Sequence, residues 1–161
     1  MFTATHLHAM IVHFPIALVL VAFVSELAGF FLKRKFYQQV SLYILTLAAL
    51  GAIAAFLTGD AAGDGMDGGS LKKALEIHEQ SATLTLWLTI VAAMVKIGLA
   101  LLKKEIRWVK VAAFILLFAA AGSVARTGYL GGQLVFKHAA GVELGIGNFD
   151  TFNGQDNNDN D

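Results

Sequence analysis

The chain has no cysteine, a single proline and little charge. Without thiols it can have no disulfide, no iron–sulfur ligation and no haem attached covalently through a CxxCH motif. Lysine and arginine number 12, as do aspartate and glutamate, so the formal net charge is zero. No basic field addresses a nucleic acid, and no nucleic-acid partner is expected. Charged residues make up 15% of the sequence, against about 25% in soluble domains.

Apolar sequence takes the place of charge. Hydrophobic residues are 57% of the 161, and the mean hydropathy is +0.64. They gather in four blocks, near Leu7–Leu32, Val40–Leu57, Ala82–Leu102 and Val109–Leu130. A helix needs roughly 18–20 residues to cross the hydrocarbon core, and each block approaches or exceeds that length. None alternates with the period of a strand, and only helices or closed barrels satisfy the backbone in lipid. The expectation is an all-α, integral-membrane, up-and-down four-helix bundle over residues 1–145, with a lipid bilayer as its first partner. A polar tail, expected to be disordered, follows over residues 146–161. The first block is long enough to span and has no positive stretch before it, so no cleavable leader is expected.

Basic residues orient the bundle. Lys33, Arg34 and Lys35 lie in the first connection, and Lys103, Lys104, Arg107 and Lys110 in or beside the third. Lys72, Lys73 and Lys137 fall at the other end. The positive-inside rule then puts both termini outside, in a bacterial inner membrane with its outer face toward the periplasm. Pro15 is expected to start or kink the first helix, and Gly59 to stop the second. The acidic, glycine-rich stretch from Gly59 to Ser70 does not match an EF-hand and reads as a solvated linker.

Five histidines, His6, His8, His13, His78 and His138, all fall at the end expected to be outer. A titratable side chain at or inside a membrane span is a functional candidate, although an imidazole also rests well at the interface, bound to water or headgroups. His13 and His78 enter their spans, so these two are expected to share a ligand. His138 is the first substitute for either, and His8 with His138 the next pair. Imidazoles without cysteine suit haem iron, zinc or copper. The small residues from Ala119 to Ala125, with Gly128, Gly131 and Gly132, either pack helices closely or leave room for a flat macrocycle. Arg126 would suit a haem propionate, or a salt bridge to Asp60 or Glu79. Glu26 and Lys96 lie at similar depth toward the other end and are expected to pair.

Two stretches carry a resemblance. His8-Ala9-Met10-Ile11-Val12-His13-Phe14-Pro15 and Gly131-Gly132-Gln133-Leu134-Val135-Phe136-Lys137-His138-Ala139-Ala140-Gly141-Val142, with His78 between them, resemble the bacterial membrane family catalogued as domain of unknown function 2231. Its pattern opens on HP-x-x-VHFP and closes on GGxLVxxHGxGV. Ala9 and Ala139 depart from it, each beside a histidine rather than at one. Fusion of some members to cytochrome or Rieske-type domains implies redox work at the membrane. The sequence therefore leads to the expectation of a b-type haem protein passing electrons between a quinol or a partner cytochrome and an external acceptor. A zinc- or copper-binding membrane protein and a scaffold subunit of a larger complex are the alternatives. The sequence does not specify an oligomeric state or an enzymatic activity.

Overall fold

The computed structural model describes residues 3–64, 69–103 and 106–141. The proposed tail at 146–161 and part of the acidic linker lie outside them. Four helices account for nearly all the described chain: α1 (Ala4–Phe31), α2 (Lys35–Gly63), α3 (Gly69–Leu101) and α4 (Arg107–His138). All four are long and apolar enough to cross a membrane. Each is longer than its apolar block because polar turns extend it at one or both ends.

The ends are set by local chemistry. Thr3 caps α1, its Oγ1 accepting the His6 amide at 3.3 Å. Lys33 and Lys103 both adopt the left-handed conformation, with φ of 52° and 50°, just after α1 and α3. A cation there also suits the negative end of the helix dipole. Ala139 closes α4 in the same conformation, and its amide reaches back to Leu134 and Val135.

Two expectations about breaks are corrected. α1 begins at Ala4 and runs through Pro15, so the helix does not start there. The ring is buried against α2, where Gly51 leaves space for its Cβ and Cδ. Gly59 does not stop α2, which continues to Gly63. A Cβ on Gly59 would stand 2.9 Å from the His8 ring, so glycine is required there for close approach rather than for a turn.

Neighbouring helices are antiparallel. α1 packs mainly on α2 and α3 mainly on α4, while thinner α2–α3 and α1–α4 contacts close the square. α1 and α3 therefore face each other across the diagonal and run the same way. The core is a narrow column of Val19, Ala22, Leu45, Ala48, Ala92, Leu117 and Ala120. Large apolar side chains such as Phe30, Phe31, Tyr43 and Phe136 point outward, which is the expected inversion when the solvent is lipid.

That column reveals an internal repeat. Val19 and Thr89, Ala22 and Ala92, and Glu26 and Lys96 are each separated by 70 residues and hold matching places in α1 and α3. Leu32 and Leu102 make the same closing bond, to Ala28 and Gly98, and Lys33 and Lys103 share their turn. In α2 and α4 the offset is 72: Leu45 matches Leu117, Ala48 matches Ala120, Ala49 matches Ala121 and Ser41 matches Ala113, all buried. The hairpin α1–α2 thus maps onto α3–α4 by a pseudo-two-fold rotation about an axis parallel to the helices. This is the parallel arrangement of repeats known among membrane transporters.

Candidate functional site

The repeat continues to the histidine end and makes a site there. His8 on α1 lies against Gly59 on α2, and His78 on α3 lies against Gly131 on α4, 70 and 72 residues on. A Cβ on Gly131 would come within 3.2 Å of the His78 ring. Each imidazole therefore packs closely on a glycine, so that a side chain there would push the ring away. Both rings lie at the same end of the bundle, on the diagonal helices α1 and α3.

Their backbone partners match as well. His8 Nδ1 lies 3.0 Å from the Ala55 carbonyl and 3.4 Å from Thr58 Oγ1. A carbonyl only accepts, so Nδ1 carries the proton and Nε2 keeps its lone pair. The Thr127 carbonyl, 72 residues after Ala55, lies beside His78. His78 Nδ1 is buried and stops short of a formed bond.

The other candidates are placed differently. His13, expected to share a ligand with His78, is exposed, and its Nδ1 donates to the Ala9 carbonyl of its own helix at 2.8 Å. It lies near enough to His8 to interact electrostatically. His6 is exposed beside Thr3, at 2.8 Å from Oγ1. His138 is half-buried at the end of α4. Arg126 is exposed on α4, and among the described residues it makes no ion pair with Asp60 or Glu79. Gly122, Gly128 and Gly132 have nothing within 4 Å of the place a Cβ would take, and Gly122 and Gly128 are exposed.

A hydroxyl network absent from the sequence reading lies just inward of His78. Ser81 and Thr127 are 2.8 Å apart, Thr85 and Thr127 2.8 Å, and Thr85 and Ser123 2.6 Å. Thr85 gives its only proton to the Ser81 carbonyl at 2.8 Å. It therefore accepts from both Thr127 and Ser123, which leaves Ser81 to donate to Thr127. One assignment of protons satisfies the whole network, and it ties α3 to α4.

Toward the opposite end, Lys96 Nζ donates to Glu26 Oε2, the pairing expected from their depth. Spacing explains it: Glu26 follows His8, and Lys96 follows His78, by 18 residues, or five turns at 3.6 residues each. Each charge therefore lies on the same face of its helix as the histidine, about 27 Å along the axis at 1.5 Å per residue. This shared interval was the signal, available in the sequence, that pairs His78 with His8.

The donor set can be matched to a ligand. Two neutral imidazoles, one with Nδ1 fixed by a carbonyl and the other beside one, are what a b-type haem takes from a protein as axial ligands. A closed zinc site needs four donors, and the described residues hold no group of three or more His, Asp or Glu side chains placed for a metal.

Fold and site together define a four-span α-helical membrane protein with a histidine pair near one end of its axis. A family model described as "Predicted membrane protein (DUF2231)" matches residues 4–144, and the chain belongs to that family. No curated protein and no solved structure matches it.

Proposed function

We propose that this is a membrane redox protein holding one b-type haem between His8 and His78, with electrons passing between a quinol or partner cytochrome and an external acceptor. The observation that carries the reading is the matched seating of the two imidazoles, each on a glycine and beside a carbonyl of the next helix. A haem bound there would supply a one-electron couple, and two axial imidazoles would leave no open position for oxygen chemistry.

The chain's own residues bind, orient and insulate. Ala55 holds the His8 proton on Nδ1 and so presents Nε2 as the donor. The Thr127 carbonyl lies beside His78 at the position matching Ala55, within reach of a small shift of the ring. Gly59 and Gly131 let the rings lie flush against α2 and α4. The column of Val19, Ala22, Leu45, Ala48, Ala92, Leu117 and Ala120 separates this site from the charged pair at the other end. The basic residues beyond α1 and α3 support an outer, periplasmic position for the histidine end in a bacterial inner membrane. Alkaline phosphatase fused after Asn148 should then be active and at Lys35 inactive, and the reverse pattern would invert the orientation.

Purified protein supplied with haem should show the absorption bands of a six-coordinate b-type cytochrome on reduction. His8→Ala and His78→Ala should each lose the reduced spectrum, while His6→Ala and His13→Ala keep it. A protein that acquires no haem overturns the reading. Haem retained in both the His8 and His78 variants overturns the ligand pair.

A further inference from the structure

We propose that the charged end of the axis is a second binding site, in which one enclosed water joins Ser41 to the Glu26–Lys96 pair. The antiparallel register that sets His8 against Gly59 and Gly29 against Gln38 brings Ser41 on α2 level with Glu26 on α1. Ser41 is fully buried, and its Oγ has no hydrogen-bond partner. Other hydroxyls on the same helix close onto their own backbone: Thr46 donates to the Leu42 carbonyl and Thr58 to Ala54, each four residues back. Ser41 does not, although the Tyr37 carbonyl stands in that position.

A buried hydroxyl with no partner costs free energy, and more so where no bulk water reaches it. The Lys96 ammonium has three donors, one of which meets Glu26 Oε2, and the carboxylate has further lone pairs. Three polar groups of complementary capacity at one level are what a buried water requires, since it settles where two to four partners converge. The repeat strengthens the assignment. Ser41 and Ala113 are matched positions, both buried, and Ala113 carries no hydroxyl to satisfy. Gly59 and Gly131, each 18 residues from these two, flank the histidine pair at the other end of the axis. Each end thus holds a diagonal pair from α1 and α3. The outer pair is two like donors that leave a ligand position between them. The inner pair is two opposite charges that meet directly and leave a position beside them, toward α2. Enclosure selects water over a larger ligand, because Ser41 has no exposed surface.

A double-mutant cycle on the full chain in detergent tests this. Ser41→Ala should lower the unfolding equilibrium stability about tenfold in the native background, within the usual coupling of residues sharing one network. In the Glu26→Gln, Lys96→Met background the same substitution should no longer destabilise and should be neutral or stabilising, because the water has lost its charged partners and the Ser41 hydroxyl is then unsatisfied. An experimental density map should show one oxygen within hydrogen-bond reach of Ser41 Oγ and of Glu26 or Lys96. An equal effect of Ser41→Ala in both backgrounds, or a map with the Ser41 hydroxyl bonded to the Tyr37 carbonyl and no intervening oxygen, overturns the proposal. Neither measurement depends on haem, so the outer site can fail while this one stands.

Discussion

The two hairpins share a skeleton and differ in what joins their helices. In α1–α2, Pro15 lies against Gly51, Gln38 against Gly29 and His8 against Gly59, so the helices meet through close contact at glycines. In α3–α4, the matching stretch carries Ser81, Thr85, Ser123 and Thr127, where the first hairpin has Ile11, Pro15, Gly51 and Ala55. The second pair is held by side-chain hydrogen bonds across the interface. Lipid offers no hydrophobic drive between helices, so either close packing or interhelical hydrogen bonds must supply the association. The first hairpin relies mainly on glycine contacts, with His8 bonding Ala55 across it. The second relies mainly on hydroxyl bonds, with Gly131 against His78, and the core positions at the centre of both have stayed alike.

The contact between the hairpins should give the largest effect. Lys96→Met leaves Glu26 partly buried and unpaired and should cost up to about 3–5 kcal/mol in thermal or denaturant unfolding. Adding Glu26→Gln should recover most of that loss. Simple additivity of the two changes would show that the pair does not join the halves.

Leu45→Ala and Leu117→Ala offer the sharpest check of the repeat, since both side chains are fully buried at matched positions. Each should cost about 2–5 kcal/mol, and the two values should agree closely. A clear inequality would mean that the matched burial hides unlike surroundings.

Glycine replacements probe the two histidine seats. Gly59→Ala and Gly131→Ala should each cost about 1–3 kcal/mol, because a methyl group must displace an imidazole. The first should cost more, since its Cβ would stand 2.9 Å from the His8 ring against 3.2 Å for His78. Equal costs would show that the His8 ring yields as readily as the His78 ring.

The smallest difference lies among the hydroxyls. Thr85→Val breaks bonds between α3 and α4 and should cost about 0.6–1.7 kcal/mol, the range measured for such bonds within a membrane bundle. Thr46→Val in the first hairpin removes only a bond to its own helix and should leave the melting midpoint unchanged. If the two behave alike, hydrogen bonding does not distinguish the halves.

Much of this was legible in the residues. Four apolar blocks require four helices, and the depth of Glu26 and Lys96 predicted their pairing. The histidine pair was less legible. His13 stands out because it enters an apolar run, whereas the structure puts it on the exposed side of α1 and turns His8 toward the axis. Helical phase decides this, and the phase follows from α1 continuing back through Pro15 to Ala4. A helix beginning at Pro15 would have left His6, His8 and His13 without a defined face. Gly59 misled for a related reason: glycine favours helix ends, but here a neighbouring side chain needed the space.

The sequence by itself determined the number of spans, their alternation, the end where the histidines gather and the equal interval from each histidine to its charge. Those properties depend on composition and helical period, which act locally and need no partner. Tertiary structure alone decided which imidazoles are drawn in between helices, which glycines they lie against and how the two hairpins hold together. Such choices depend on the rotation and register of one helix against another. In lipid these are fixed by short-range contact at a few small or hydroxylated residues, and those contacts exist only once the helices have packed.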